Sequence, residues 1–167
     1  MSGFFHGVTV TNVDTGARSI ALPSSSIIGL VDTFTEGPTA TAKANDLVLI
    51  TSEREAIAAF GADAAITKAC QAIYARAKAV IVACGVAKLT DAAEQTSAII
   101  GSVEADGKRT GLQALLDGKS RFNAQPRLLV TPKHSATQAV GTALVALADK
   151  LRGLAIIDGP GTTDEAA

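Results

Sequence analysis

Polar and apolar positions change rhythm several times along this chain, and each change predicts an element. From Gly7 to Val13 they alternate, with Val8 and Val10 on one side and Thr9 and Thr11 on the other, which is the period of a half-buried strand. A Pro/Ser stretch around Pro23 then separates this run from Ser26–Phe34, whose nearly continuous apolar pattern predicts a strand buried on both faces. Leu47–Thr51 predicts a second buried strand. Ser52 and Glu55 form a capping box for a short helix that stops at Gly61. Ile66, Cys70, Ile73 and Ala77 recur at helical spacing, and "AVIVACGV" follows as a strand rich in β-branched residues. Asp91 and Glu94 cap a helix carrying Ile99, Ile100 and Val103; "EADGKRTG" is a polar turn; and Leu112, Leu115 and Leu116 predict a short amphipathic helix. Arg127–Thr131 is the next strand. Ser135 and Gln138 match a second capping box, ahead of a helix whose buried stripe is Val140, Leu144, Leu147 and Leu151. Leu154–Asp158 closes the series as a last buried strand.

Strands that alternate with helices, joined by crossovers long enough for parallel pairing, predict an α/β fold: a mainly parallel sheet with helices on both faces, preceded by an extended N-terminal β-strand arm. The expected division is an arm and linker over residues 1–25 and an α/β domain over residues 26–167. That domain is expected to be incomplete at its C-terminal end, because Thr162 and Glu165 have capping-box spacing with no helix after them.

Composition narrows the function. The 167 residues carry a formal net charge of -1, which gives no electrostatic grip on nucleic acid or anionic lipid. Aromatics are 4% with no Trp, so no base-stacking surface is indicated. The apolar runs Ala79–Ala87 and Ala139–Ala148 fall short of the roughly 20 residues a membrane span needs, and the N-terminus lacks a signal-peptide pattern, so a soluble, cytosol-made protein is expected. Cys70 and Cys84 sit inside apolar periodic runs without zinc-type spacing and read as buried thiols.

Candidate chemistry is sparse. Gly118-Lys119-Ser120 has the ending of a phosphate loop, but the glycine required five residues earlier is Gln113, so a helix-ending turn is the better reading. Asp158 in "IIDGPG" resembles a Mg²⁺-holding aspartate of GTPases, yet without a phosphate loop it reads as a strand-ending turn. His134 and Ser135 stand where a strand meets a helix, a position that hosts catalysis in α/β folds, although Ser135 is already explained as an N-cap. His6, Asp14 and Asp32 have no evident partner in the sequence, and no catalytic set and no metal site emerge.

The stretches "FFHGVTVTNVDTGARSIALPSSSIIGLVDTF", "RTGLQALLDGKSRFNAQPRLLV" and "DGPGTTDEAA" closely resemble the start of contractile tail sheath proteins of P2-like bacteriophages and R-type pyocins. The resemblance implies a virion or pyocin structural protein, made and assembled in the bacterial cytoplasm and without enzymatic activity or cofactor. It implies hexameric rings stacked helically around an inner tail tube, with a baseplate that triggers contraction, and neither nucleic acid nor membrane insertion. It also implies that Gly7, Val8, Thr9, Val10, Thr11, Asn12 and Val13 form a strand donated to a neighbouring copy, with Ala17–Ser25 as its tether. The competing reading is a small α/β nucleotide-binding protein or enzyme using the loops at His134 and Asp158.

Overall fold

Ile27–Phe34 (β1) shows no polar alternation because side chains on both of its faces are enclosed, Leu30 and Phe34 toward one side and Val31 toward the other. It is the centre of the sheet. The structure, a computed structural model, describes residues 27–38 and 40–159; the expected arm with its strand Gly7–Val13, His6, Asp14 and the Thr162–Glu165 helix start lie outside them.

Four more strands, Leu47–Ile50 (β2), Val80–Ala87 (β3), Leu128–Val130 (β4) and Leu154–Ile156 (β5), complete a sheet of order β2-β3-β1-β4-β5. β1 pairs in parallel with β3 along its whole length, from Ile27 opposite Val80 to Phe34 opposite Ala87, and in parallel with β4, which pairs in parallel with β5. β2 is antiparallel to β3, so the sheet is mixed and mostly parallel. The sheet is mainly parallel as expected, and its one antiparallel strand, β2, has a topological reason. The described residues between β1 and β2 contain no helix to carry the chain back across the sheet, so β2 runs opposite to β1.

Helices cover both faces. Glu53–Phe60 (α1) and Ala65–Tyr74 (α2) bury Ala56, Phe60, Ile66 and Cys70 against Leu30, Phe34, Ile50 and Ile81. Ala92–Ile100 (α3), a 3₁₀ segment Gly111–Asp117 that runs into Gly118–Phe122 (α4), and Gln138–Leu151 (α5) lie on the opposite face. There Ile99, Leu112, Leu115, Leu144 and Leu147 meet Val31, Val82, Cys84 and Leu129. The predicted stripe of α5 is buried at all four positions, Val140, Leu144, Leu147 and Leu151.

Several local readings need correction. The Leu112–Leu116 segment is 3₁₀ and not α-helical; with three residues per turn, Leu112 and Leu115 fall on one side and both are fully buried. Ala77 lies beyond the end of α2, and Val103 lies beyond α3, where it bridges Arg109 at the neck of the polar turn. The last strand is not buried: β5 is a sheet edge, with Leu154 60% and Ile156 47% exposed.

Two glycines make close approaches that a side chain would block. At Gly101, φ is +70° and a Cβ would sit 1.9 Å from the Thr110 carbonyl oxygen, so the chain leaves α3 directly against the start of the 3₁₀ segment. Gly85 leaves room for an edge-to-face pair of Phe34 and Phe60, ring centroids 5.3 Å apart; a Cβ there would meet the Phe60 ring at 2.6 Å.

Candidate functional site

The carboxyl ends of parallel strands are where α/β folds place ligands, and a cleft of about 340 Å³ opens there. Asp32 to Thr35 at the end of β1, Asp63 to Ala65 at the start of α2, Lys68, Lys88, Pro132 and Lys133 line it. Asp32 is buried in the floor, where its Oδ1 accepts from the Thr33 amide at 2.7 Å. His134 Nε2 stands 3.6 Å from the same oxygen. Burial pushes the Asp32 carboxyl above its ordinary range, against the lowering effects of the Thr33 amide, His134 and Lys133. Asp32 therefore has partners that the sequence did not indicate. The available signal was a carboxylate inside the apolar run "IIGLVDTF", which must find compensation when the strand is buried on both faces.

His134 and Ser135 are adjacent in sequence but serve separate contacts. Ser135 Oγ donates to Asp158 Oδ2 at 3.1 Å and accepts from the Asp158 amide at 3.1 Å. The same carboxylate accepts from the Lys133 amide at 3.1 Å, which holds Lys133 in a left-handed conformation with φ +64°. Asp158 thus fastens the turn between β4 and α5. This corrects the capping-box reading: Thr137 is the N-cap of α5 and makes no side-chain cap, while Ser135 is engaged by a carboxylate from after β5. With Ser135 committed to Asp158 and His134 facing Asp32, no nucleophile–base–orienter chain is assembled at these residues.

The other motifs resolve similarly. Gly118 has αR geometry and begins α4, so Gly118-Lys119-Ser120 continues a helix where a helix-ending turn was expected. The αL residue that ends it is Asn123. Ser120 Oγ donates to the Asp117 carbonyl at 2.9 Å, and the segment does not follow a strand as a phosphate loop requires. Cys70 and Cys84 are both buried, and their thiols are pushed up to about 12 by desolvation, which makes them poor nucleophiles. Among the described residues no group of three or more His, Cys, Asp or Glu is placed to hold a metal ion, and no helix is long and apolar enough to cross a membrane.

The described residues form a packed α/β body, and comparisons with known proteins give its relatives. The family model described as "Tail sheath protein Gp18 domain III N-terminal region" matches residues 25–86. A Pseudomonas aeruginosa (strain UCBPP-PA14) protein, provisionally named a prophage major tail sheath protein, is 66% identical over 98% of this chain and 42% of its own length. The tail sheath protein of Escherichia phage P2 is 34% identical over 94% of this chain and 41% of its own length. The major tail sheath protein of Serratia phage KSP20 is 31% identical over 89% and 38%, respectively. The chain therefore spans about two-fifths of the length of these relatives. Along nearly all of its residues the chain is similar to proteins named as tail sheath proteins, and the tail sheath family model falls over β1 to β3.

Proposed function

We propose that this chain is part of a subunit of a contractile tail sheath, in a phage tail or an R-type pyocin, that polymerises around an inner tube and contracts to drive that tube through a cell envelope. The observation that carries the reading is 66% identity to a prophage tail sheath protein over 98% of the chain. In this reading residues 26–167 act as a rigid body, and residues 1–25 are an arm and its tether. The strand Gly7–Val13 adds to a sheet of a neighbouring copy, where backbone hydrogen bonds supply affinity and the alternation of Val8 and Val10 with Thr9 and Thr11 sets register. Copies form hexameric rings stacked helically in the bacterial cytoplasm and meet the inner tube and the baseplate. Contraction exchanges one packing of rigid bodies for another, with the arms keeping the lattice connected.

The test uses the full-length gene product. Deleting Ser2–Val13 is expected to leave the circular dichroism of the folded domain intact and to abolish polymers in sedimentation and electron micrographs. Val10→Pro, which removes a ladder donor, should raise the critical concentration more than Val10→Ala, which removes about 1–2 kcal/mol of burial per contact. Normal tubes from the deletion would overturn strand exchange. A full-length product that never forms tubes would overturn the sheath role itself.

A further inference from the structure

The two faces of the sheet are not equally covered. Side chains alternate along β4 and β5: Leu129 and Ala155, a registered pair, point toward α5, so Leu128, Val130, Leu154 and Ile156 point to the α1–α2 side. On that side Leu128 and Val130 are half-buried, and Leu154 and Ile156 are 60% and 47% exposed. Two adjacent parallel strands thus present a continuous apolar strip, whereas parallel sheets are normally covered on both faces.

The topology explains why nothing described here covers it. From β1 the chain moves to β3 on one side, with α1 and α2 on one face; from β3 to β4 and from β4 to β5 it moves the other way, with α3, the 3₁₀ segment and α5 on the opposite face. Crossovers of one hand put helices on opposite faces when the direction of travel reverses, so further steps in the β4-to-β5 direction would again load the α5 face. The strip must be covered from outside this winding. Pro160–Ala167 contains no Val, Leu, Ile or Phe with which to do so. The relatives, of which this chain spans 42%, 41% and 38%, carry more than as much sequence again.

We infer that in the full-length protein the α1–α2 side of β4 and β5 is covered by an apolar element of the same polypeptide from beyond residue 167, seated on Leu128, Val130, Leu154 and Ile156. The inference rests on the uncovered face and the relatives' length, and holds whether or not copies exchange arms. It is tested by Leu154→Cys in the 167-residue chain and in the full-length product, with iodoacetamide as probe; buried Cys70 and Cys84, their thiols pushed up to about 12, give a slow background. Alkylation of the introduced thiol is expected to be about tenfold or more slower in the full-length protein at every dilution. Ile156→Cys gives a second reading from the same face, and circular dichroism reports that each variant is folded. Equal rates in the two chains would overturn the inference. So would slow labelling in the 167-residue chain, which assigns the cover to its own terminal residues, or protection lost on dilution, which assigns it to a second copy.

Discussion

The two edge strands, "LVLI" and "LAI", are equally apolar, yet β2 is enclosed and β5 is open. At β2, Ile50 is fully buried and Leu47 nearly so. Its last carbonyl accepts from the Tyr74 hydroxyl at 3.0 Å, and residues 40–44 lie against the neighbouring helix, with the Thr41 and Ala42 amides donating to the Ala58 and Ala59 carbonyls. At β5 only the α5 side is covered, and Leu154 and Ile156 face outward. The burial of a strand is thus decided by which segments pass over it. Its own composition does not say which of its faces will be covered.

That contrast can be measured as a gradient of mutational cost across the sheet. The largest loss is expected for Phe60→Ala, which empties the space between α1 and the β1–β3 pair: about 3–5 kcal/mol in urea unfolding of the 167-residue chain. Gly85→Ala should cost about 1–3 kcal/mol, because its methyl group would enter the Phe34–Phe60 pair. A smaller effect of opposite sign is expected for Asp32→Asn. Burial raises the carboxyl in the folded state, so Asp32 contributes stability that is present below its ordinary 3.8 and lost as pH rises through the folded value. The asparagine variant should therefore unfold at higher urea than the parent near neutral pH, and the advantage should vanish below pH 3.8. A parent stabilised at neutral pH relative to the variant would mean that the His134 contact outweighs desolvation. The smallest effect is expected for Leu154→Ala, within about 0.5 kcal/mol, because the side chain is 60% exposed. A loss comparable to that of Phe60→Ala would erase the distinction between the two edges.

The sequence was most informative where contacts are local. The α5 stripe follows from residues three and four apart, and Ser52 and Asp91 cap α1 and α3 as expected, accepting from the Glu55 amide and from the Ala93 and Glu94 amides. Even there the reciprocal half of the first box is shared, since Glu55 accepts most strongly from the Thr51 amide and hydroxyl, with the Ser52 amide a lesser partner. Where long-range partners decide, the pattern misleads. Ser135 and Gln138 have the right spacing for a box, but Asp158, 23 residues further on, takes the serine. Asp32 and His134 meet only because β1 and β4 are neighbours in the sheet, a pairing that no short window contains. The direction of β2 depends on the absence of a crossover helix, and the exposure of β5 depends on what lies over it; neither is written in the strand itself.

Parallel pairing has a mechanical consequence. The described chain enters the sheet at Ile27, the first residue of β1, and leaves it at Ile156, the last residue of β5. Because β1, β4 and β5 run in the same direction and Ile156 is level with Val130 and so with Leu30, the exit lies three residues further along the strand axis than the entry and two strands across. Tension between them has a component along the strands, so it loads the hydrogen bonds of β1–β4 and β4–β5 in shear as well as across the sheet. The exit is further tied down by Asp158, gripped by Ser135 and the Lys133 amide just after β5. A body strung this way transmits a pull across its width with little stretch.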